Sequence, residues 1–328
     1  MKNKKRLIAA GLAVLILVFS LKFSSAEPAV NKEDDSLSID SVQSVQSLVN
    51  GEKKAVKKIL KAGNSSEVIQ KIKIKGEIKD EMIDRESDHS VISQIKKAKE
   101  DPNVKAILLA VDSPGGGVYE SREIYEALKN SGKDVYVTME SYATSGGYYV
   151  AMAGKKIFAH QETMTGSLGV IMSSLSAQKF LNDNGIKNQI IRSGSQKAVG
   201  GLTEDMNEET LKLHKDIITE AYDRFVDVIA KGRNMDTNTV KSLADGRVYT
   251  ANQALGHKLI DKIAGEEDMI NEIKNEKKLF NPEVIEYKKP EATYNFLKSF
   301  ISETAKAITE EVNKSTSSSS NVQMKYLG

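Results

Sequence analysis

Residues 106–117 read AILLAVDSPGGG, a run of six apolar residues that leads directly into a glycine-rich turn. An uninterrupted apolar run is typical of a strand that is buried on both faces, as in a parallel sheet. The same order of a strand pattern followed by a glycine turn occurs again at residues 135–148, VYVTMESYATSGGY. Here the turn contains Ser145, Gly146 and Gly147. Two strands that each run through a glycine turn into a helix predict an α/β fold.

Strand and helix patterns alternate around these turns, from about residue 67 to residue 288. Strands are predicted at residues 68–78, 106–111, 135–139, 157–159 and 188–191. Helices are predicted at residues 91–98, 119–129, 146–152, 175–181 and 208–231. The longest helix has Asn207 as its N-cap and Gly232 just beyond its end. The repeated alternation favours mostly parallel strands joined by helical crossovers.

The chain divides into four predicted segments. They are an N-terminal signal-anchor segment (1–26), a linker (27–66), an α/β domain (67–290) and a flexible tail (291–328). Within the linker, apolar residues recur at helical spacing from Val42 to Leu60 beside several lysines. This pattern predicts a basic amphipathic helix, which either lies on an anionic membrane or is a solvated or oligomer-packed helix. The serine-rich residues 315–320 favour a flexible tail.

The first residues decide the expected compartment. Four basic residues precede an apolar run at 7–21: Lys2, Lys4, Lys5 and Arg6. This is the pattern of a cleaved secretory signal or of an uncleaved anchor. Ser24, Ser25 and Ala26 fit a cleavage site, but uncharged residues 23–26 also lengthen the run towards a span, and we favour the anchor. We expect a single-pass protein of the cell membrane, with its N-terminus cytoplasmic and its α/β domain extracytoplasmic.

Composition excludes several classes of protein. Lys and Arg number 47 against 45 Asp and Glu, and this balance gives no electrostatic surface for nucleic acid. The sequence has no cysteine, which excludes a disulfide scaffold, a thiolate zinc site and a cysteine nucleophile. Its four histidines lack metal-binding spacing, and neither glycine turn matches a phosphate-binding motif. No metal or cofactor is therefore expected.

The two glycine turns could build a site for acyl transfer. A serine that opens a helix has its hydroxyl near free backbone amides, and neighbouring glycines let such amides approach a substrate closely. A nucleophile beside backbone donors is the minimum for this chemistry. The alternative is that both are only tight strand–helix turns. A serine also needs a base, for which His160 and Lys197 are the candidates.

Five motifs occur in order along the chain. They are SPGGGVYES (113–121), SGGYY (145–149), TGSLGVIM (165–172), SG-x-x-K (193–197) and DGRVYT (245–250). Together they resemble the signal peptide peptidase A family, serine peptidases with a Clp-protease/crotonase-like fold of repeated β-β-α units. The resemblance covers about residues 67–288 and implies a single catalytic domain of that fold.

The resemblance also implies roles for particular residues. Ser145 would be the nucleophile and Lys197 the general base. Gly116 and Gly146 would supply the oxyanion-hole N–H groups, and Ser167 would orient the lysine. Such a dyad requires neither metal nor cofactor. Thr144 departs from the family pattern, which commonly has alanine before the serine.

The function implied is a membrane-anchored serine endopeptidase that degrades released signal peptides and other hydrophobic, unfolded peptides. Long members of the family carry two repeats, with serine and lysine on different repeats, whereas this chain has one copy. We therefore expect a homo-oligomeric ring in which neighbours share active sites; the alternative is a dyad within one protomer. Two alternatives are a crotonase-type acyl-CoA enzyme and a catalytically silent membrane-anchored scaffold of the same fold.

Overall fold

A nine-stranded sheet organises residues 55–288, the residues that the computed structural model describes. Its strands are β1 (Val56–Lys61), β2 (Asn64–Lys75), β3 (Val104–Ser113), β4 (Asp134–Thr144), β5 (Lys156–Ala159), β6 (Met164–Gly166), β7 (Val248–Thr250), β8 (Lys262–Ile263) and β9 (Pro282–Lys288). The order across the sheet is β1-β9-β2-β3-β4-β5-β8, with β6 beside β4 and β7 beside β6. Only β1–β9 and β6–β7 are antiparallel among these pairs, which confirms the predicted, mostly parallel α/β sheet.

Helices cover both faces of this sheet. They are α1 (Val91–Glu100), α2 (Val118–Lys129), α3 (Gly146–Ala151), α4 (Gln178–Asp183), α5 (Glu208–Arg233), α6 (Thr237–Leu243), α7 (Ala251–Gly256) and α8 (Glu266–Lys277). Met269, Ile270 and Ile273 of α8 pack on one face. Buried apolar residues from each of α1, α2, α3, α5, α6 and α7 belong to the larger cluster on the other face.

The central strand β3 is buried on both sides. Ile107, Leu109 and Val111 belong to the larger cluster, whereas Ala106 and Leu108 pack towards α8. Fully burying each large side chain contributes roughly 1.5–3 kcal/mol. This two-sided burial explains why the sequence of the strand is an unbroken apolar run.

Strand β4 is longer than the sequence predicts, and the extension positions the site. Beyond Met139 the strand leaves β5 and pairs with β6, so that Tyr142 lies opposite Met164 and Thr144 opposite Gly166. The predicted strand at 135–139 is therefore only the half of β4 that runs beside β5. Ser145 becomes the first residue beyond the sheet.

The sheet begins earlier than expected. Residues 56–60, which the spacing assigned to a helix in the linker, belong to strand β1, and β2 starts at Asn64. Val56 lies opposite Lys288, because β1 pairs with β9 at the far end of the described chain. The 3–4 spacing of the apolar residues fits a helix, but pairing with β9 overrides this local pattern.

Other predictions for the ends of the chain fall on residues that the structure does not describe. The signal-anchor segment, the linker up to residue 54 and the tail after residue 288 lie outside the described residues. Among residues 55–288, no helix combines the length and the hydrophobicity needed to cross a membrane.

The prediction of a strand at 188–191 is wrong. These residues form no regular structure and are exposed. No strand between residues 55 and 288 pairs with them, so their backbone lacks the ladder partner that a strand requires. The helix expected at 175–181 forms as α4, displaced towards the C-terminus.

The longest helix, α5, begins as predicted and ends later. The Asn207 side chain accepts a hydrogen bond from the Thr210 amide at 2.8 Å, which confirms the N-cap. Gly232, predicted to follow the helix, stays inside it, and Asn234 ends it with a φ of 50°. A methyl group at Gly232 would lie 3.2 Å from Cβ of Met152. This glycine therefore lets α5 pack closely behind α3.

Candidate active site

The first glycine turn is held tightly against the chain at residue 78. The Ile78 amide donates to the Gly115 carbonyl at 2.8 Å, and the Ile78 carbonyl accepts from the Gly117 amide at 3.0 Å. A side chain at Gly116 would overlap this backbone, since its Cβ would lie 2.6 Å from the Ile78 nitrogen. The exposed Gly116 amide donates no hydrogen bond to any residue within 55–288.

The second turn forces Ser145 into a strained conformation. Its φ and ψ are 52° and −120°, a region that residues with a side chain rarely adopt. The turn is fixed because the Ser145 amide donates to Gly166 at 2.8 Å and its carbonyl accepts from the Tyr149 amide at 2.9 Å. Strain of this kind costs about 1–3 kcal/mol and is concentrated at functional sites.

The two glycine turns meet at Ser145. A Cβ atom at Gly115 would lie 2.9 Å from Cβ of Ser145, and one at Gly146 would lie 3.2 Å from the Gly116 nitrogen. Like that of Gly116, the Gly146 amide donates no hydrogen bond within the described chain. Because Gly146 opens α3, its amide is one of those left free at a helix start. A half-buried serine hydroxyl thus lies beside two unengaged amides, an arrangement suited to acyl transfer.

Ser167 occupies the equivalent position on the neighbouring strand. It follows Gly166, which pairs with Thr144, and its φ is also positive at 50°. Its amide donates to the Arg247 carbonyl at 2.7 Å. Ser145 and Ser167 are therefore the first residues beyond two paired strands, and neither hydroxyl has a hydrogen-bond partner among residues 55–288. Thr144, the departure from the family pattern, is the last residue of β4 and is buried.

Aromatic side chains anchor α3 below the site. The hydroxyl of Tyr148 donates to the Leu259 carbonyl at 2.7 Å. Burial raises the pKa of Tyr148, which keeps this phenol protonated as a donor. The Tyr149 ring packs against Tyr125 and Phe225, with ring centroids 5.4 and 5.2 Å apart. These contacts fix the helix start that carries Gly146.

The structure leaves both candidate bases apart from Ser145. Lys197 lies in an irregular, exposed stretch, and its ammonium makes no hydrogen bond or ion pair within residues 55–288. His160 follows β5 and lines a cavity that does not include Ser145. Neither side chain hydrogen-bonds to Ser145 or Ser167. Within residues 55–288 of a single protomer, the Ser145 hydroxyl and the two free amides therefore have no basic side chain hydrogen-bonded to them.

A segment rich in exposed apolar residues follows Ser167. We call residues 168–202 the apolar segment; Ile171 is 91% exposed and Leu175 is 77% exposed. Its other exposed large apolar residues are Met172, Phe180, Ile186, Ile190, Ile191 and Leu202. A groove of about 290 Å³ lies between the start of this segment and Ile218 and Tyr222 of α5. So many exposed large apolar residues within one segment favour an interaction surface.

Sequence reasoning missed two residues that shape the site. Ile78 holds the first glycine turn through hydrogen bonds of its backbone amide and carbonyl. Any residue type other than proline could make these bonds, so the sequence gives no signal for them. The buried Ser121 hydroxyl lies against Gly146 and has no hydrogen-bond partner in the described part of the chain. Ser121 closes the 113–121 motif, so its position could have been noticed, although not its contact.

Replacing Gly146 with alanine is expected to lower kcat/KM for peptide hydrolysis roughly 10²- to 10³-fold, as does loss of one oxyanion donor in other enzymes. The added methyl group would overlap the Ser121 hydroxyl and crowd the Gly116 amide. Steady-state kinetics would measure the loss, and the melting temperature would show whether the fold is kept.

Two further variants separate this clash from general damage. Gly256→Ala adds a methyl group where no atom lies within 4 Å, and it should leave kcat/KM unchanged. Adding Ser121→Gly to Gly146→Ala removes the overlapped hydroxyl and should restore part of the activity. Equal losses in Gly146→Ala and Gly256→Ala would contradict the proposed geometry.

The chain is similar to known peptidases. The family described as peptidase family S49 matches residues 127–280, and the Clp protease family matches residues 63–170. A candidate signal peptide peptidase SppA of Enterococcus faecium is 39% identical over 295 residues, which cover 87% of this chain and 85% of that protein.

Two further relatives cover shorter parts. A candidate protease of Synechocystis is 36% identical over 52% of this chain and 63% of its own length. A chloroplastic serine protease SPPA of Arabidopsis thaliana is 32% identical over 53% of this chain and 26% of its own length. The chain therefore belongs to the signal peptide peptidase A family, peptidase family S49, and is a serine peptidase.

Proposed function

We propose that this serine peptidase is a membrane-anchored endopeptidase that uses a Ser145/Lys197 dyad to degrade released signal peptides and other hydrophobic, unfolded peptides. The observation that carries the proposal is the strained Ser145 beside the free Gly116 and Gly146 amides. The name of the Enterococcus faecium relative supports signal peptides as the substrate.

The proposed reaction is acyl transfer in two steps. Lys197 takes the proton of the Ser145 hydroxyl, and the serine oxygen attacks the peptide carbonyl. The Gly116 and Gly146 amides hold the oxyanion, while Ser167 orients the lysine. Lys197 then protonates the leaving amine as the peptide C–N bond breaks. In the second step Lys197 takes a proton from water, the water oxygen attacks the acyl carbon, and the ester bond breaks as Lys197 returns the proton to the Ser145 oxygen.

A neighbouring copy of the chain would supply the base. Lys197 lies in the apolar segment. The isoleucine, leucine and phenylalanine side chains of this segment are exposed to solvent, because nothing within residues 55–288 packs on them. If the apolar segment of one protomer packs on the next protomer, those side chains become buried. The same contact would bring Lys197 of the first protomer to Ser145 of its neighbour. Head-to-tail contacts of this kind close into a ring when the rotation allows.

The anchoring part of the proposal rests on the sequence. The basic residues before the apolar run at 7–21 would remain in the cytoplasm and hold the peptidase on the outer membrane face. Cleaved signal peptides are released at that membrane. The serine-rich tail is long enough to reach a site and is itself a potential substrate.

Covalent labelling tests the nucleophile. A serine-directed phosphonate should modify the full-length protein once per chain, and peptide mapping should locate the adduct on Ser145. The adduct forms because the amides that hold an oxyanion also hold the phosphonyl oxygen. An adduct on another serine would refute the assignment, and a protein that resists labelling while fully folded would favour the catalytically silent scaffold.

A further inference from the structure

An acidic cavity lies on the opposite face of the sheet from α3. It measures about 410 Å³, within the range of roughly 300–1,000 Å³ found for small-molecule sites. Its lining residues are Thr138, Glu140, Ser141, His160, Glu162 and Glu266. Thr138 faces this side because Val137 and Met139, on either side of it, pack in the cluster on the other face.

Two carboxylates of this cavity have no counter-charge. Glu266 pairs with the buried Lys71. Glu140 and Glu162 form neither an ion pair nor a side-chain hydrogen bond with any residue between 55 and 288. Lys262 forms no ion pair with them; its ammonium lies 5.4 Å from the ring centroid of Phe158, the residue paired with Thr138. The cavity therefore keeps an excess of negative charge.

A buried hydroxyl in the wall also lacks a partner. Thr138 is 2% exposed, and its Oγ1 makes no hydrogen bond among the described residues. By contrast, the hydroxyl of the neighbouring Thr163 is paired, since it donates a hydrogen bond to the Glu140 carbonyl at 2.6 Å. Buried polar groups are normally paired, so an unpaired hydroxyl beside two free carboxylates points to a ligand that donates hydrogen bonds.

The positions of the acidic side chains around the cavity indicate the chemical class of the ligand. Within residues 55–288, no three His, Asp or Glu side chains converge closely enough to hold a metal ion. Carboxylates distributed around a cavity of this size instead fit an ammonium or guanidinium group, which donates several hydrogen bonds in different directions.

We propose that this cavity binds the lysine or arginine side chain of a peptide held for cleavage at Ser145. The inference deepens the proposed function and rests on it. Glu140 precedes Ser145 by five residues on the same strand, so the two are at most about 17 Å apart at the usual strand rise. An extended peptide spans that distance with about five residues. The cavity would thus select hydrophobic peptides that also carry a basic residue, as signal peptides do.

A binding assay tests the cavity separately from catalysis. Full-length Ser145→Ala protein is titrated with fluorescent peptides that carry lysine, or its uncharged analogue norleucine, five residues from the scissile bond on either side. One lysine peptide should bind about tenfold tighter than its norleucine partner, because charge-assisted hydrogen bonds are the strong ones. Glu140→Gln with Glu162→Gln should abolish the difference, whereas the control Glu100→Gln on the exposed end of α1 should keep it.

Thr138 gives a second measurement. Thr138→Val removes an unpaired hydroxyl, so the free protein should be at least as stable, while the preference for lysine should fall about threefold. Thr138→Ser should retain the preference. Loss of stability in Thr138→Val with an unchanged preference would assign this residue a purely structural role.

Each remaining outcome has one meaning. Equal binding of the lysine and norleucine peptides to the parent protein would overturn the proposal. Binding of free n-butylamine, without any advantage for the lysine peptides, would assign the cavity to free amines and overturn the peptide assignment. Cleavage of the peptides by Ser145→Ala would instead contradict the proposed nucleophile, and the ratio of affinities would still report on the cavity.

Discussion

Peptide-ester hydrolysis is expected to fall by roughly 10⁴- to 10⁶-fold when Ser145 is replaced by alanine, because no other group in the site replaces the lost nucleophile. Lys197→Ala should cause a similar loss, since the dyad acts as a unit. Both variants should keep their melting temperature: Ser145 loses only a hydroxyl without a partner, and Lys197 is exposed. Initial rates measured with a small activated ester would quantify the effect.

A nearby lysine serves as the matched control. Lys187 lies exposed in the same apolar segment, and Lys187→Ala should retain the activity of the parent protein. The dyad would be wrong if Lys197→Ala remained active. Loss of activity in His160→Ala together with an active Lys197→Ala would identify the rival base.

Co-expression of the two inactive variants should restore part of the activity. If a ring pairs each Ser145 with the lysine of the next protomer, an interface between a Lys197→Ala chain and a Ser145→Ala chain contains one complete dyad. Random mixing makes about a quarter of the interfaces complete in a head-to-tail ring. We therefore expect about a quarter of the parent activity, measured after tandem purification through a different tag on each variant.

Separately expressed variants, mixed only in the assay, serve as the control for this experiment. If they do not exchange subunits, they should remain inactive. Mixed rings that form and stay inactive would show that Ser145 and Lys197 act within one protomer. Light scattering on the purified mixture would establish that oligomers are present.

The sequence predicted the parts of the fold whose signals are local. Strand β3 and the start of β4 are continuous apolar runs because helices cover both sides, and the glycines after them mark close backbone contacts that no other residue allows. The site turn at Ser145 was therefore predictable. Its strain was not, because a positive φ at a serine has no compositional signal.

The parts that were mispredicted depend on distant partners. Residues 56–60 have the spacing of a helix, yet they pair with β9, which lies more than 200 residues away in the chain. Ile190 and Ile191 have the composition of a strand, but the described chain offers them no neighbour. A local sequence pattern predicts a helix or a strand correctly only where the rest of the chain provides the partner strand or packing surface for that element.

The position of β9 has a consequence for the order of events during folding. This strand lies between β1 and β2, which are consecutive in the chain but do not pair along their lengths. While the chain is being made, β1 has no neighbour and β2 has one open edge until residues 282–288 are available. Contacts of such long range close late and slowly. The centre of the sheet can therefore assemble first, and the chain reaches its native topology only when its last described strand is inserted.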